Sequence, residues 1–156
     1  MSSQEWPQID KGLRDADFHW SSTIIWAKDT LVLSRKDYHT QYEPIWYGWK
    51  NGSARLVEVA DRKQSDLWEV ERPKVSELHP TTKPIELVER AVNNSSHGRD
   101  LVLDLFGGSG STLIACQKNG RKARLMELDP KYCDVIVKRW EQYTSEQATL
   151  RQREAA

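Results

Sequence analysis

The hydrophobic rhythm of the chain changes near Pro73. Before it, apolar residues come in short β-branched and aromatic runs separated by polar ones, the pattern of strands and loops. Thr23-Ile24-Ile25-Trp26 is the first run, closed by Lys28 and Asp29. Tyr42 to Trp49 is the second, carried by Ile45, Trp46, Tyr47 and Trp49, weakened late by Gly48, and followed by the turn Asn51-Gly52-Ser53. Leu56-Val57-Glu58-Val59 and Leu67-Trp68-Glu69-Val70 alternate as half-buried strands do, with polar Asp61 to Ser65 between them.

After Pro73 the period lengthens. Pro84 opens a helix with Ile85, Leu87, Val88, Ala91 and Val92 at helical spacing, ending near Asn93-Asn94. Leu101 to Phe106 reads as a buried apolar strand bearing Asp104 towards its end. Gly107-Gly108-Ser109-Gly110 turns the chain into a helix over Ser111 to Lys118, stopped by Asn119-Gly120. Ala123 to Glu127 is the next strand, again ending in an acid. Pro130 begins the last helix, with Val135, Ile136, Val137 and Trp140, and a polar tail follows from Ser145. Helix, strand, turn, helix, strand, helix predicts an α/β fold with parallel strands and right-handed crossovers.

The bulk numbers narrow this picture. With 156 residues there is room for one ordinary domain. No apolar run approaches the ~20 residues of a membrane span, and Met1 to Asp10 lacks the basic-then-apolar pattern of a signal peptide, so a cytoplasmic protein is expected. The 23 basic and 23 acidic side chains cancel. A dedicated nucleic-acid surface is usually basic, so charge alone does not predict DNA contact. Arg35, Lys36, His39 and Lys50 could meet phosphates or simply be scattered surface charge. Cys116 and Cys133 lie in helical patterns without metal-ligand spacing and read as reduced core thiols. Six of the seven tryptophans precede Pro73, more than such a core needs, which points to a surface that packs against something else.

The chemistry concentrates at Asp104 to Thr112. A parallel strand delivers the chain to a turn whose glycines let the backbone curl and a ligand approach closely. The following helix start directs unpaired N–H groups at that ligand, favouring a negative group. A P-loop would need Lys before Ser or Thr, and here Gly110 runs directly into Ser111. A nicotinamide dinucleotide site would need a third glycine where Leu113 stands, although Glu127 would suit its ribose. An S-adenosylmethionine site has no pyrophosphate to fit under the loop. A glycine turn without a ligand is the remaining reading.

Val102 to Thr112 resembles the cofactor motif of N6-adenine and N4-cytosine DNA methyltransferases, which has Asp-Pro-Phe, a variable residue, then Gly-Ser-Gly-Thr-Thr. His79-Pro80-Thr81-Thr82-Lys83-Pro84 resembles that family's His-Pro-Thr-Gln-Lys-Pro box beside the methionine end of the cofactor. Glu127-Leu128-Asp129-Pro130-Lys131-Tyr132 resembles its Glu-x-Asp-x-x-Tyr segment, whose glutamate holds the ribose hydroxyls. Ile24 to Lys28 and Tyr38 to Gly48 resemble the strands before the target-recognition region, most closely in the phage and prophage branch. The likeness runs from about Phe18 to Thr144. Residues 1–17 then stand as an extension, 18–72 as edge strands and target-side region, 73–144 as the cofactor part and 145–156 as a tail. Leu105 replaces the family's proline and Ser111 its threonine.

The resemblance implies a Rossmann-like S-adenosylmethionine-dependent methyltransferase fold that moves a methyl group to the exocyclic amine of adenine, or to N4 of cytosine, in double-stranded DNA. It assigns cofactor contacts to His79, Thr81, Thr82, Lys83, Asp104, Phe106, Gly108, Ser109, Gly110, Ser111, Thr112 and Glu127. Taken alone, Thr82 and Pro84 also read as the N-cap and first residue of the helix. The family's Asp/Asn-Pro-Pro-Tyr/Phe tetrapeptide, which holds the flipped base, occurs nowhere in the sequence. No catalytic residue is therefore assigned, and His39 with Glu43 or His79 with Asp104 read more simply as loop or cofactor-shell residues. By resemblance the tetrapeptide ends a central strand, and an incomplete central sheet is expected. Its open edge calls for a complementing polypeptide, self-association or marginal stability. The alternative function is an inactive remnant, or one half of a split enzyme, that binds cofactor or DNA without turnover.

Overall fold

A computed structural model describes residues 3–59, 61, 63–72 and 82–151. After a short turn at Ser3–Glu5, α1 (Trp6–Asp15) leads into two long strands, β1 (Phe18–Val32) and β2 (Thr40–Lys50), and then a short third, β3 (Leu67–Glu69). The second half runs α2 (Ile85–Ser95), β4 (Leu101–Asp104), α3 (Ser111–Lys118), β5 (Lys122–Leu125) and α4 (Pro130–Thr144). None of the described helices is long and apolar enough to cross a membrane.

The strands form two sheets. In the first, β1 is central, antiparallel to β2 and parallel to β3. Ile24 stands opposite Ile45, and Trp26 lies between Glu43 on β2 and Trp68 on β3. Trp26, Trp68, Val70 and Leu87 form a buried core, with Ile24, Ile45 and Ala91 packed against it. Leu87 and Ala91 lie one helical turn apart on α2, so the apolar stripe read from the sequence is the face set against this sheet. The indole of Trp26 donates to the Val70 carbonyl at 2.8 Å, which satisfies its N–H inside the core. Gly48, a weak strand former, has a steric reason here: a Cβ would stand 2.0 Å from the His19 carbonyl on β1.

The second sheet is the parallel pair β4–β5, with Leu101 opposite Lys122 and Asp104 opposite Leu125. Parallel sheets are normally buried on both faces. This one is not: Leu101 and Leu103 are 62% and 63% exposed. The buried strand expected here is covered on one face only. Among the described residues no strand pairs with the other edge of β4, and a cavity of about 640 Å³ lies between that edge and Val88, Ala91 and Val92 of α2. The incomplete sheet expected from the sequence is the one observed.

Four expectations need correction. Leu56 to Val59 form a loop, not a strand, and Leu56 is 74% exposed. Alternation there is local, and a strand needs a neighbour to take its backbone groups. Trp6–Asp15 is helical, with Trp46 donating to Asp10 at 3.0 Å. The helix α2 starts at Ile85, with Pro84 at the N-cap and no side-chain cap, so Thr82 does not cap it. Cys116 is buried as read, but Cys133 is exposed.

Candidate functional site

The tips of β4 and β5 and the start of α3 converge on the glycine turn. Asp104 accepts hydrogen bonds from the Phe106 amide at 3.0 Å and the Thr112 hydroxyl at 2.6 Å, bending the chain back over its own strand. The Gly107 amide donates to Met126 O at 2.8 Å, and the Gly110 amide to Gly107 O at 2.8 Å, closing the turn. Gly108 and Gly110 take φ of +53° and +76°, where side chains with a Cβ are strained. Gly110 also has Ile136 against it, so its lack of a side chain serves packing as well as conformation.

Glu127 ties the two strand tips together. One carboxylate oxygen accepts from the Gly108 amide at 2.7 Å, and the other from the amides of Leu128 and Asp129 at 2.8 and 3.1 Å. Asp129 in turn caps α4 by accepting from the Lys131 amide at 2.9 Å. Ser109, Gly110 and Ser111 are buried and Thr112 half-buried, whereas Phe106 is 87% exposed beside them. The hydroxyl protons of Ser111 and Thr112 are committed to Lys83 O and to Asp104. What this turn offers a ligand is therefore chiefly backbone N–H from the first turn of α3, which has no partner within the helix.

The segment before α2 joins the same site. Ser111 donates to Lys83 O at 2.8 Å, and the Lys83 ammonium reaches Glu43 on β2 at 2.8 Å. Lys28 of β1 meets the other Glu43 oxygen at 2.8 Å, and both ammonium groups lie over the Trp26 ring, at 5.1 and 5.6 Å from its centroid. Burial would raise the Glu43 carboxyl, but hydrogen bonds from Lys28 and Lys83, with the charge of Lys83, outweigh it and hold the pKa at about 2. The imidazole of His39 instead accepts from the Ser34 amide at 3.3 Å.

The predicted residues Lys83, Asp104, Gly108, Ser109, Gly110, Ser111, Thr112 and Glu127 are thus linked by hydrogen bonds or the turn itself, with Phe106 exposed alongside. Thr82 lies just ahead of Lys83, and His79 and Thr81 lie outside the described residues. Sequence reasoning missed Arg139, whose guanidinium donates to Ser109 O at 2.8 Å, and it gave Lys28 no role. Arg139 follows Ile136 by three residues on α4, and that helical spacing was its only signal.

A model of the DNA methylase family of N6 and N4 methyltransferases matches residues 8–138. The chain is 30% identical over 170 residues to the DNA adenine methyltransferase YhdJ of Escherichia coli strain K12, covering 88% of this chain and 58% of that protein. It is 28% identical over 138 residues to the type II methyltransferase M.Cfr9I of Citrobacter freundii, covering 81% and 46% respectively. Among solved structures, the DNA modification methylase TTHA0409 of Thermus thermophilus in complex with S-adenosyl-L-methionine superposes with a TM-score of 0.70 at 28% identity, over 88% of this chain and 59% of that one. The chain spans about half the length of these two curated relatives. The superposition bears out the α/β architecture with part of its sheet.

Proposed function

The chain belongs to the DNA methylase family, and from that premise we propose that it is the cofactor-binding part of a DNA amino-methyltransferase, taking S-adenosylmethionine at the glycine turn. One observation carries this reading: the Glu127 carboxylate at the tip of β5 lies 2.7 Å from the Gly108 amide, so the strand-tip acid and the glycine loop form one site. A carboxylate there suits the two hydroxyls of a ribose, and the first-turn amides of α3 suit a carboxylate such as that of methionine. Phe106, 87% exposed next to the loop, offers an aromatic face to the adenine ring. Lys83, Thr82 and, ahead of them, Thr81 and His79 would flank the methionine end.

When bound, S-adenosylmethionine supplies an electrophilic methyl group on its sulfonium. This chain's residues hold and orient it; none of them is assigned to the base. The acceptor proposed for the whole enzyme is an exocyclic amine in double-stranded DNA, with adenine favoured by the likeness to YhdJ. The bare face of β4 and its unpaired edge favour a second reading, in which a complementing polypeptide or a second copy completes the sheet before any turnover. A chain acting alone would then bind cofactor or DNA without catalysis.

Calorimetric titration with S-adenosylmethionine tests the first reading. Saturable binding by the parent chain, lost in Glu127→Ala, is the expected result. A well-folded parent chain that takes up no cofactor overturns it.

A further inference from the structure

Three of the four residues from Gly107 to Gly110 are glycines, which have little conformational preference of their own. A loop of that composition holds one shape only if its surroundings impose it. Part of the imposition comes from Glu127 and Asp104. The rest comes from α4. Ile136 fills the space beside the loop, so that a Cβ on Gly107 would lie 3.0 Å from its Cδ1 and one on Gly110 would lie 3.2 Å from its Cγ2. One turn further along the same face, a single nitrogen of Arg139 donates to Ser109 O at 2.8 Å, to Ser109 Oγ at 3.2 Å and to Ser111 Oγ at 3.3 Å.

We infer that Arg139 is a positioning residue for the cofactor, fixing the peptide plane between Ser109 and Gly110 and, through it, the direction of the first-turn amides of α3. The inference rests on the cofactor reading above and names a residue that would act without touching the cofactor. Ser109 is 4% exposed, so its carbonyl has little water to fall back on if the guanidinium is removed. With Gly108 and Gly110 on either side, the Ser109 peptide is then free to turn over and find another donor. The Ser111 hydroxyl stands between Arg139 and Lys83 O, so the same grip steadies the segment entering α2. A guanidinium suits the task because its donors are fixed in a plane, whereas an ammonium is a compact charge on a flexible stem.

The test is S-adenosylmethionine titration of the parent chain, Arg139→Ala and Arg139→Lys, with melting temperatures measured on the same samples. Leu87→Ala serves as a destabilised control, because Leu87 lies in the core with Trp26 and Trp68. Arg139→Ala is expected to weaken cofactor binding at least tenfold. Arg139→Lys, which keeps one donor and the charge, is expected to recover part of that loss and also covers the case in which the alanine variant does not fold. The Leu87→Ala control is expected to melt lower while binding as the parent does. Binding within twofold of the parent in every folded Arg139 variant overturns the inference and leaves the cofactor reading intact. So does a loss in Arg139→Ala no greater than that in Leu87→Ala. A parent chain that binds no S-adenosylmethionine overturns both.

Discussion

The Lys83 ammonium donates to Glu43 at 2.8 Å, bridging the segment that enters α2 to the second strand of the three-stranded sheet. Glu43 shares its other oxygen with Lys28, whose side chain is only 8% exposed. The carboxylate therefore neutralises a cation that has little water around it. Removing one member of such a buried group costs about 3–5 kcal/mol, because the partner left behind keeps its desolvation penalty. Since Lys83 also keeps some exposure, Glu43→Gln is expected near the lower end of that range, read from the midpoint and slope of urea unfolding at pH 7.

The same cluster predicts acid sensitivity. Glu43 titrates at about 2 in the folded chain against an ordinary value of 4.5. A depressed carboxylate stabilises the fold fully above its unfolded value, and that contribution is lost as pH falls from about 4.5 towards 2, amounting to on the order of 2–3 kcal/mol. Unfolding free energies measured at half-unit steps across that window are expected to fall more steeply in the parent than in Glu43→Gln. Parallel curves would place the acid sensitivity elsewhere.

Two glycines separate conformation from packing. Gly110 and Gly120 both have positive φ, +76° and +67°, but only Gly110 has a neighbour in the way; Gly120 faces open space. Gly120→Ala should cost the left-handed backbone penalty alone, about 1–2 kcal/mol. Gly110→Ala should cost that and the displacement of Ile136 besides. Thermal melts of the two variants give the comparison. Equal losses would mean that α4 yields to the extra methyl without cost.

What the sequence made legible follows the range of the interactions. The helix over Ser111–Lys118 and the helix from Pro130 were both readable, because a glycine turn, an Asn-Gly stop and a proline start are local signals. The glycine motif and Glu127 were readable as types in sequence, and their 2.7 Å approach follows from the parallel pairing of β4 with β5. Leu56 to Val59 misled because alternation cannot say whether a partner strand exists. The first helix was overlooked although Trp6, Ile9 and Leu13 share a face and Asp10–Arg14 and Lys11–Asp15 are paired one turn apart. Lys28 and Arg139 were beyond reach, because each acts on residues that only the tertiary fold brings near.

The exposed leucines on β4 make a prediction about association. Leu101 and Leu103 lie on the bare face of a two-stranded sheet, and contiguous apolar surface of this kind marks an interaction site. The double variant Leu101→Lys, Leu103→Lys removes the apolar face while touching nothing buried, so the melting temperature of the monomer should change little. Sedimentation velocity over a range of concentrations should show weaker self-association than in the parent. A parent chain that stays monomeric and binds no hydrophobic dye would show that this face does not need covering.

The two cysteines should differ sharply in reactivity, although their helical settings look alike in sequence. Cys116 is 0% exposed on α3, and burial pushes its thiol up from the ordinary value. The thiolate is the reactive species, so the raised value and the closed surroundings both protect it. Cys133 is exposed on the first turn of α4, with its sulfur 3.7 Å from the carbonyl of Glu127. Native labelling with an alkylating reagent, followed by mass spectrometry of the peptides, should modify Cys133 alone, with Cys116 reacting only once the chain unfolds. Comparable rates at both thiols would show that α3 is less firmly packed than the structure has it. Because Cys133 touches the residue proposed to hold the ribose, saturating S-adenosylmethionine should slow its alkylation. Unchanged labelling at saturation would move the ligand away from Glu127, even where calorimetry had shown that it binds.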